Sequence, residues 1–252
     1  MSKKFKLALI LFILGFIGVL STLALRPMLL EESKSMWSDL PLLWNSKLRY
    51  LIFPTINLIV AITVGTLLYD KVNFKLPLLE GLIDKNKKIE TSGILLYGII
   101  GGIIAGVLLS IILPLFAPIL PHDFFSLKGN IKINILTSLL NGGITTEIIN
   151  RFGIMTFFVW VIYKILGKLT PSVYWIAIIT MILFFGLINL FPVISSIHGT
   201  SRVALISYNL LLSAIGVTVY GWLYWKKGLE AAMIAHLLAS IIITIGGSVF
   251  NF

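Results

Sequence analysis

The segment NGGITTEIINR, residues 141–151, decides how the rest of the chain must be arranged. It lies within a long apolar stretch, yet it contains an acid, Glu147, and a base, Arg151. A charged side chain in the middle of a bilayer costs roughly 3 kcal/mol or more, so such residues face a bundle interior or a watery cavity. On a helix, residues at this spacing share one face and can pair. The segment therefore predicts an interior helix that carries either a structural ion pair or a functional site.

The composition indicates the class of protein. Of 252 residues, 58% are hydrophobic and only 12% are charged, and the mean hydropathy is +1.02. A soluble domain has about a quarter of its residues charged, because its surface must face water. The chain has no cysteine, which excludes disulfides, thiolate metal sites and a cysteine nucleophile. We therefore predict an all-α, polytopic membrane protein, a helical bundle of about seven or eight transmembrane helices.

The net charge of +10 comes from 20 Lys and Arg against 10 Asp and Glu. Most of these cations flank apolar segments, and no basic patch alternates with exposed aromatic residues as in nucleic-acid-binding proteins. Orientation by the positive-inside rule and contact with anionic headgroups account for the charge more simply. We therefore expect membrane lipids as partners, no nucleic acid, and a multi-pass protein of the cell membrane whose N-terminus is cytoplasmic.

Seven segments are apolar enough and long enough to cross a bilayer. The predicted spans are residues 5–25, 51–69, 92–113, 135–166, 173–191, 203–224 and 229–249. Pro114, Pro118 and Pro121 should end the third span. The fourth is too long for one straight span, so we expect it to be strongly tilted or broken near Gly153. Within a single domain, we separate the N-terminal helices and a cytoplasmic loop, residues 1–91, from a membrane core, residues 92–252.

Three of these spans carry residues at one-turn spacing that suggest a common site. In chain order they are TEIINR at 146–151, FGLIN at 185–189 and HLLAS at 236–240. The stretch YGWLYWKKGLEAA at 220–232, with its aromatic, basic and Gly-Leu turn, leads into the third segment. This set, in this order, resembles the CPBP family of CAAX prenyl endopeptidases and bacteriocin-processing proteins, also called the abortive-infection family. The resemblance covers roughly residues 92–245.

The resemblance implies a fold and a chemistry. It implies a CAAX-endopeptidase-like membrane core with a site of Glu147, Arg151, Asn189 and His236, which should line one interior cavity. Active members of the family are glutamate-dependent intramembrane endopeptidases that activate water with a general base and hold the oxyanion with donors. The expected partner is a lipidated or membrane-embedded peptide, or a partner membrane protein.

The chain departs from the family motifs at three positions. Thr146 stands where the first glutamate would be, Asn189 where a histidine would be, and Ser240 where an asparagine or aspartate would be. Neither threonine nor asparagine can act as a general base near neutral pH. We therefore predict that proteolysis is absent or weak. Two alternatives remain: a pseudoprotease acting as a membrane scaffold, binding or bacteriocin-immunity protein, and a transporter-like protein whose charges mark a substrate path.

The resemblance also implies a metal ion, since family members are often described as metal-dependent. A zinc site typically takes three or four protein ligands, whereas only Glu147 and His236 are expected to lie together here. His122 and His198 fall in polar or proline-containing connectors, where histidines are usually solvated. We therefore predict no cofactor and no tight metal site.

Orientation gives the first testable prediction. Because the chain lacks cysteine, Lys4→Cys, Lys87→Cys and Lys227→Cys can each report their side of the membrane through an impermeant maleimide. We expect labelling only after cells are opened, since lysine clusters stay on the cytoplasmic side. His198→Cys, in a connector expected outside, is the control and should be labelled in intact cells. Labelling of intact cells at any of the three lysine positions would contradict the topology.

Overall fold

The structure, a computed structural model, describes residues 2–25, 49–84, 91–120, 135–188 and 200–249. Asn189, His122 and His198 lie outside these ranges, as do Lys85, Lys87 and Lys88.

The described part of the chain is helical. Its helices are α1 (Lys3–Ser21), α2 (Arg49–Leu68), α3 (Pro77–Ile83), α4 (Thr91–Phe116), α5 (Ile135–Leu166), α6 (Pro171–Ile188), α7 (Thr200–Lys227) and α8 (Leu229–Val249). Short 3-10 turns, Thr22–Leu25 and Tyr69–Val72, follow α1 and α2. All but the short α3 are long and apolar enough to cross a membrane, seven in total. The prediction of an all-α bundle of about seven membrane-spanning helices is confirmed at this level.

The predicted spans agree with the helices to within about one turn at the described ends. Of the three prolines predicted to end the third span, Pro114 does not end it, because α4 continues through Pro114 to Phe116, two residues before Pro118. Pro121 lies outside the described residues. A proline removes its own N–H from the helix and its ring crowds the carbonyl four residues earlier, although its fixed φ suits the helical conformation. This close to the end of α4, little of the hydrogen-bond ladder is lost.

The fourth span is not broken near Gly153. Helix α5 is continuous over 32 residues, and two stretches of it, Ser138–Thr145 and Ile148–Met155, have π-helical winding. A π turn holds more residues than an α turn, so the segment is shorter than an α-helix of the same number of residues. Gly153 is a packing position instead, where an added Cβ would lie 2.5 Å from the Cβ of Ala61 on α2.

Threonine side chains match the wider winding of α5. Three hydroxyls donate to carbonyls five residues earlier: Thr145 to Leu140 at 3.4 Å, Thr146 to Asn141 at 2.9 Å and Thr156 to Arg151 at 3.2 Å. The carbonyls of Asn141 and Arg151 also accept the backbone N–H of Thr146 and Thr156, so each hydroxyl adds a second hydrogen bond at the same spacing of five residues. The threonine hydroxyls therefore follow the π winding of the backbone.

Helix α5 lies in the middle of the bundle, in contact with α1, α2, α7 and α8, while α4 packs along α8. Between helices in a bilayer, small residues at the crossing allow close van der Waals packing. An added Cβ at Gly18 of α1 would collide with Thr145, and one at Gly143 would lie 2.5 Å from Leu237 of α8. The Thr145 hydroxyl also donates to the carbonyl of Gly15 at 2.7 Å. Close crossings thus fix α5 against its neighbours.

The crossing of α4 and α8 gives a prediction for stability. An added Cβ at Gly102 would lie 2.8 Å from both the carbonyl oxygen of Ala235 and the Cβ of Leu238. Gly102→Ala should therefore force α8 to shift and destabilise the protein by about 1–3 kcal/mol. The matched control is Gly93→Ala on the same helix, where nothing lies within 4 Å and alanine favours the helix. Thermal unfolding in detergent measures both, and equal midpoints would contradict the packing.

Candidate functional site

The acid and base of α5 meet the histidine of α8 in the interior of the bundle. One carboxylate oxygen of Glu147, Oε1, lies 2.8 Å from Nδ1 of His236, and the other, Oε2, lies 3.5 Å from Nε of Arg151. The side chains of Glu147 and Arg151 are only 1% and 3% exposed. The structure thus brings together three of the four residues that the sequence singles out. The fourth, Asn189, lies outside the described residues.

The local winding of α5 determines which residue meets His236. Glu147 lies in a short α-helical interval between the two π-helical stretches. Local π winding is rare and often found at functional sites, because it changes the direction of the side chains. The neighbouring Thr146 is half-buried, and its hydroxyl is bonded to Asn141 of its own helix. Glu147, and not Thr146, therefore reaches α8, where Ser240 is buried one turn beyond His236.

Helix α7 supplies two groups that the sequence did not single out. The ring of Tyr220 stacks on His236, with centroids 4.6 Å apart and an interplanar angle of 13°. Nη2 of Arg151 donates to the carbonyl of Gly216 at 3.3 Å, and the guanidinium carbon lies 5.8 Å from the centre of the Tyr220 ring. An added Cβ at Gly216 would meet only the Tyr220 ring, at 3.6 Å, which is an ordinary contact. The glycine is therefore not required for space, and the sequence carried no specific signal for these two groups.

Several polar atoms of this cluster are buried without a hydrogen-bond partner in the described part of the chain. They are Oε2 of Glu147, Nε and Nη1 of Arg151, and the hydroxyl of Tyr220. A buried unsatisfied polar group costs about 1–3 kcal/mol. Attraction between the carboxylate and the guanidinium offsets part of this cost. The cluster is thus held chiefly by charge, with few ideal hydrogen bonds.

His236 is the most accessible member of the cluster, with 23% of its side chain exposed. A carboxylate can only accept a hydrogen bond, so Nδ1 carries the proton that it donates to Glu147. In the neutral imidazole this leaves the lone pair on Nε2. An ideal Cβ at Gly142 would lie 3.9 Å from Nε2, so the glycine keeps the space beside this atom open.

The residues of the site do not fit the zinc ion that the family resemblance implies. Over the described ranges, no group of three or more His, Cys, Asp or Glu residues could hold a metal ion. Both oxygens of Glu147 already face basic groups, His236 and Arg151. A guanidinium at 3.5 Å from the carboxylate would also repel a cation.

Comparison of the chain with protein-family models, with curated proteins and with solved structures gives no match. The resemblance to the CPBP family therefore stays a hypothesis that depends on the sequence motifs. The geometry of the site stands independently of it, since α5, α7 and α8 each contribute a contact.

The buried ion pair gives a prediction for stability. Arg151→Met and Glu147→Gln should each lower the free energy of unfolding by about 3–5 kcal/mol, because each leaves the other charge of the pair buried without its partner. The double variant should lose less than the sum, because neither charge is then left alone. Lys4→Gln is the control, since its 2.6 Å pair with Asp70 is 43% exposed on the lysine side and worth about 0–1 kcal/mol. Chemical unfolding in detergent measures all four variants, and strictly additive losses would contradict the pairing.

Proposed function

We propose that the chain is a CPBP-type, intramembrane-endopeptidase-like protein that binds a lipidated or membrane-embedded peptide at His236 and hydrolyses it weakly or not at all. The observation that carries this proposal is the burial of Glu147, whose side chain is 1% exposed and lies between His236 and Arg151. A general base must come within about 2.6–3.2 Å of the group whose proton it takes. Glu147 holds that distance to His236, so it acts as a positioning residue.

The binding chemistry follows from the exposed edge of His236. Neutral Nε2 can accept a hydrogen bond from a peptide N–H, and the protonated ring can donate one to a carbonyl or carboxylate oxygen. Gly142 leaves room beside this nitrogen. A polar group that enters from the bilayer has few other partners, so one hydrogen bond to an anchored imidazole favours binding there.

The donors of the cluster favour binding over catalysis. Efficient hydrolysis of a peptide needs donors aimed at the developing oxyanion. The nearest candidates, Nη1 of Arg151 and the hydroxyl of Tyr220, are buried. They lie on the inner side of the cluster, with Tyr220 stacked on the face of His236. A peptide carbonyl beside Nε2 would therefore receive little oxyanion stabilisation from them.

A second candidate is a slow endopeptidase that uses His236 as its general base. The 2.8 Å contact between Nδ1 and Glu147 favours it. A carboxylate in this position fixes the tautomer and stabilises the imidazolium that forms when Nε2 takes a proton from water, as in a Ser-His-Asp triad. In this candidate Glu147 acts only through His236.

Restoring the family motifs separates the two candidates. A triple variant combines Thr146→Glu, Asn189→His and Ser240→Asn in one protein. Its cleavage of a fluorogenic prenylated peptide in detergent micelles is compared with that of the parent. We expect no cleavage by the parent, because general-base assistance is worth roughly 100- to 10,000-fold. Gain of cleavage by the triple variant would support an endopeptidase scaffold that has lost its reaction. Cleavage by the parent as fast as by the triple variant, and abolished by His236→Ala, would contradict the proposal and identify an endopeptidase that uses His236 as its base.

Binding is measured with the same peptide made uncleavable, by fluorescence anisotropy. His236→Ala should weaken binding about five- to tenfold, the usual loss for one hydrogen bond. The matched control is Asn209→Ala, which removes a half-buried amide that bonds only to Leu205 of its own helix in the described contacts. Equal affinity of the parent and His236→Ala would contradict peptide binding at this site.

A further inference from the structure

A polar cavity lies away from the Glu147 cluster, at the lysine-bearing ends of the helices. It has a volume of about 1060 Å³ and lies among the end of α2, α3, the start of α4 and the end of α7. Lys75, Lys226 and Lys227 line it, together with the aromatic rings of Tyr97 and Trp225. Nothing in the proposed peptide binding uses this cavity.

The segment after α2 forms one wall, and its backbone is fixed by long-range contacts. The ring of Phe74 stacks on Tyr224 of α7 with centroids 4.2 Å apart. The hydroxyl of Tyr174 donates to the carbonyl of Val72 at 2.9 Å. The carbonyl of Lys75 accepts from the backbone N–H of Leu229 at 3.2 Å. The wall is therefore built by the fold and does not depend on a bound molecule.

The turn between α7 and α8 closes the cavity on the opposite side. Gly228 has a φ of +104°, a conformation that L side chains rarely adopt, and an added Cβ would lie 2.5 Å from Pro77. In the first turn of α8, the buried carboxylate of Glu230 accepts a hydrogen bond from the backbone N–H of Leu79 at 2.9 Å. These contacts hold α3 against the first turn of α8, so the lysines at the end of α7 face a preformed wall.

The lysines of the cavity are placed by aromatic rings. Nζ of Lys226 lies 3.8 Å from the centre of the Trp225 ring, and Nζ of Lys227 lies 3.8 Å from that of Tyr97. Within the described ranges, no carboxylate lies within 4.0 Å of these two ammonium groups. A cation over an aromatic face keeps its charge available to an anion from the other side.

The acidic groups of the cavity leave its balance positive. Asp70 and Glu80 line the same cavity, against the three lysines. The carboxylate of Asp70 is already paired with Lys4 at 2.6 Å. Three lysines against two carboxylates, one of them neutralised by Lys4, leave the lining of the cavity positively charged.

We propose that this cavity binds the phosphate of an anionic phospholipid headgroup, with Lys226 and Lys227 as its contacts. Basic pockets between transmembrane helices are suited to phosphate-bearing headgroups, and Trp and Tyr rings favour the level of the membrane interface. The exposed apolar face of α4 begins beside the cavity with Leu96 and Ile100, 56% and 44% exposed, and offers a surface for the acyl chains. A free phosphate would use the same lysines but not this apolar face.

The test uses the full chain in detergent, with bound lipid counted by native mass spectrometry. Phosphatidylglycerol and phosphatidylcholine are added together, and retention is compared for the parent and for Lys226→Gln with Lys227→Gln. We expect this double variant to lose phosphatidylglycerol affinity by about tenfold or more. The matched control is Lys164→Gln with Lys168→Gln, which removes the same charge from exposed positions outside the cavity and should change retention little.

Two further arms define the ligand. Lys226→Arg with Lys227→Arg should keep phosphatidylglycerol, and inorganic phosphate at millimolar concentration should not displace it. The proposal would be overturned if the two glutamine variants lost the same amount of phosphatidylglycerol, or if neither lost any. It would also be overturned if the parent retained phosphatidylcholine as well as phosphatidylglycerol. Displacement by inorganic phosphate would identify a free anion as the ligand and overturn the assignment to a lipid. Cleavage or binding of the prenylated peptide does not enter any of these readouts.

Discussion

The carboxylate of Glu147 is the group on which the arrangement of the bundle interior depends. It is buried at a depth where a lone charge costs several kcal/mol, and it lies 2.8 Å from His236 and 3.5 Å from Arg151. Helices α5 and α8 must therefore keep one register, because a shift of either by one turn would separate these groups. Helix α7 completes the arrangement, since Gly216 accepts from the guanidinium and Tyr220 covers the imidazole. One charge thus couples three helices.

Much of this could be predicted from the sequence, because the underlying costs are general. Apolar length predicted the spanning helices, and the one-turn spacing of Glu147 and Arg151 predicted that they share an interior face. The π-helical winding of α5 was not predicted, because the apolar spacing of a helix does not show where its hydrogen bonds change from an α to a π pattern. Tyr220 could not be distinguished from a lipid-facing aromatic residue, since periodicity in an apolar helix does not show which face meets a partner.

The polar residues of α5 serve two different purposes. The hydroxyls of Thr145 and Thr146 bond to backbone carbonyls, and so support helix crossing and winding. Glu147 and Arg151 instead form the charged cluster with α8. A glutamate at position 146 would lose the hydroxyl bond to Asn141 and bring a second carboxylate beside Glu147, where like charges repel. Thr146 is thus consistent with a helix that holds one interior carboxylate, Glu147, and with a site in which this carboxylate orients the imidazole of His236.

The turn between α7 and α8 relates this cluster to the lysine-lined cavity. His236 lies two turns beyond Leu229, which at a rise of about 1.5 Å per residue is roughly 10 Å along α8. Tyr224, just before the turn, contacts both regions through its stack on Phe74 and its 2.9 Å hydrogen bond to Thr156 of α5.

If aromatic and basic side chains at the turn mark the membrane interface, His236 lies within the hydrocarbon region. A ligand that is itself in the bilayer can approach it there, whereas a soluble peptide would first have to desolvate its backbone at a cost of several kcal/mol per unsatisfied group. This depth favours a lipid-anchored or membrane-embedded partner.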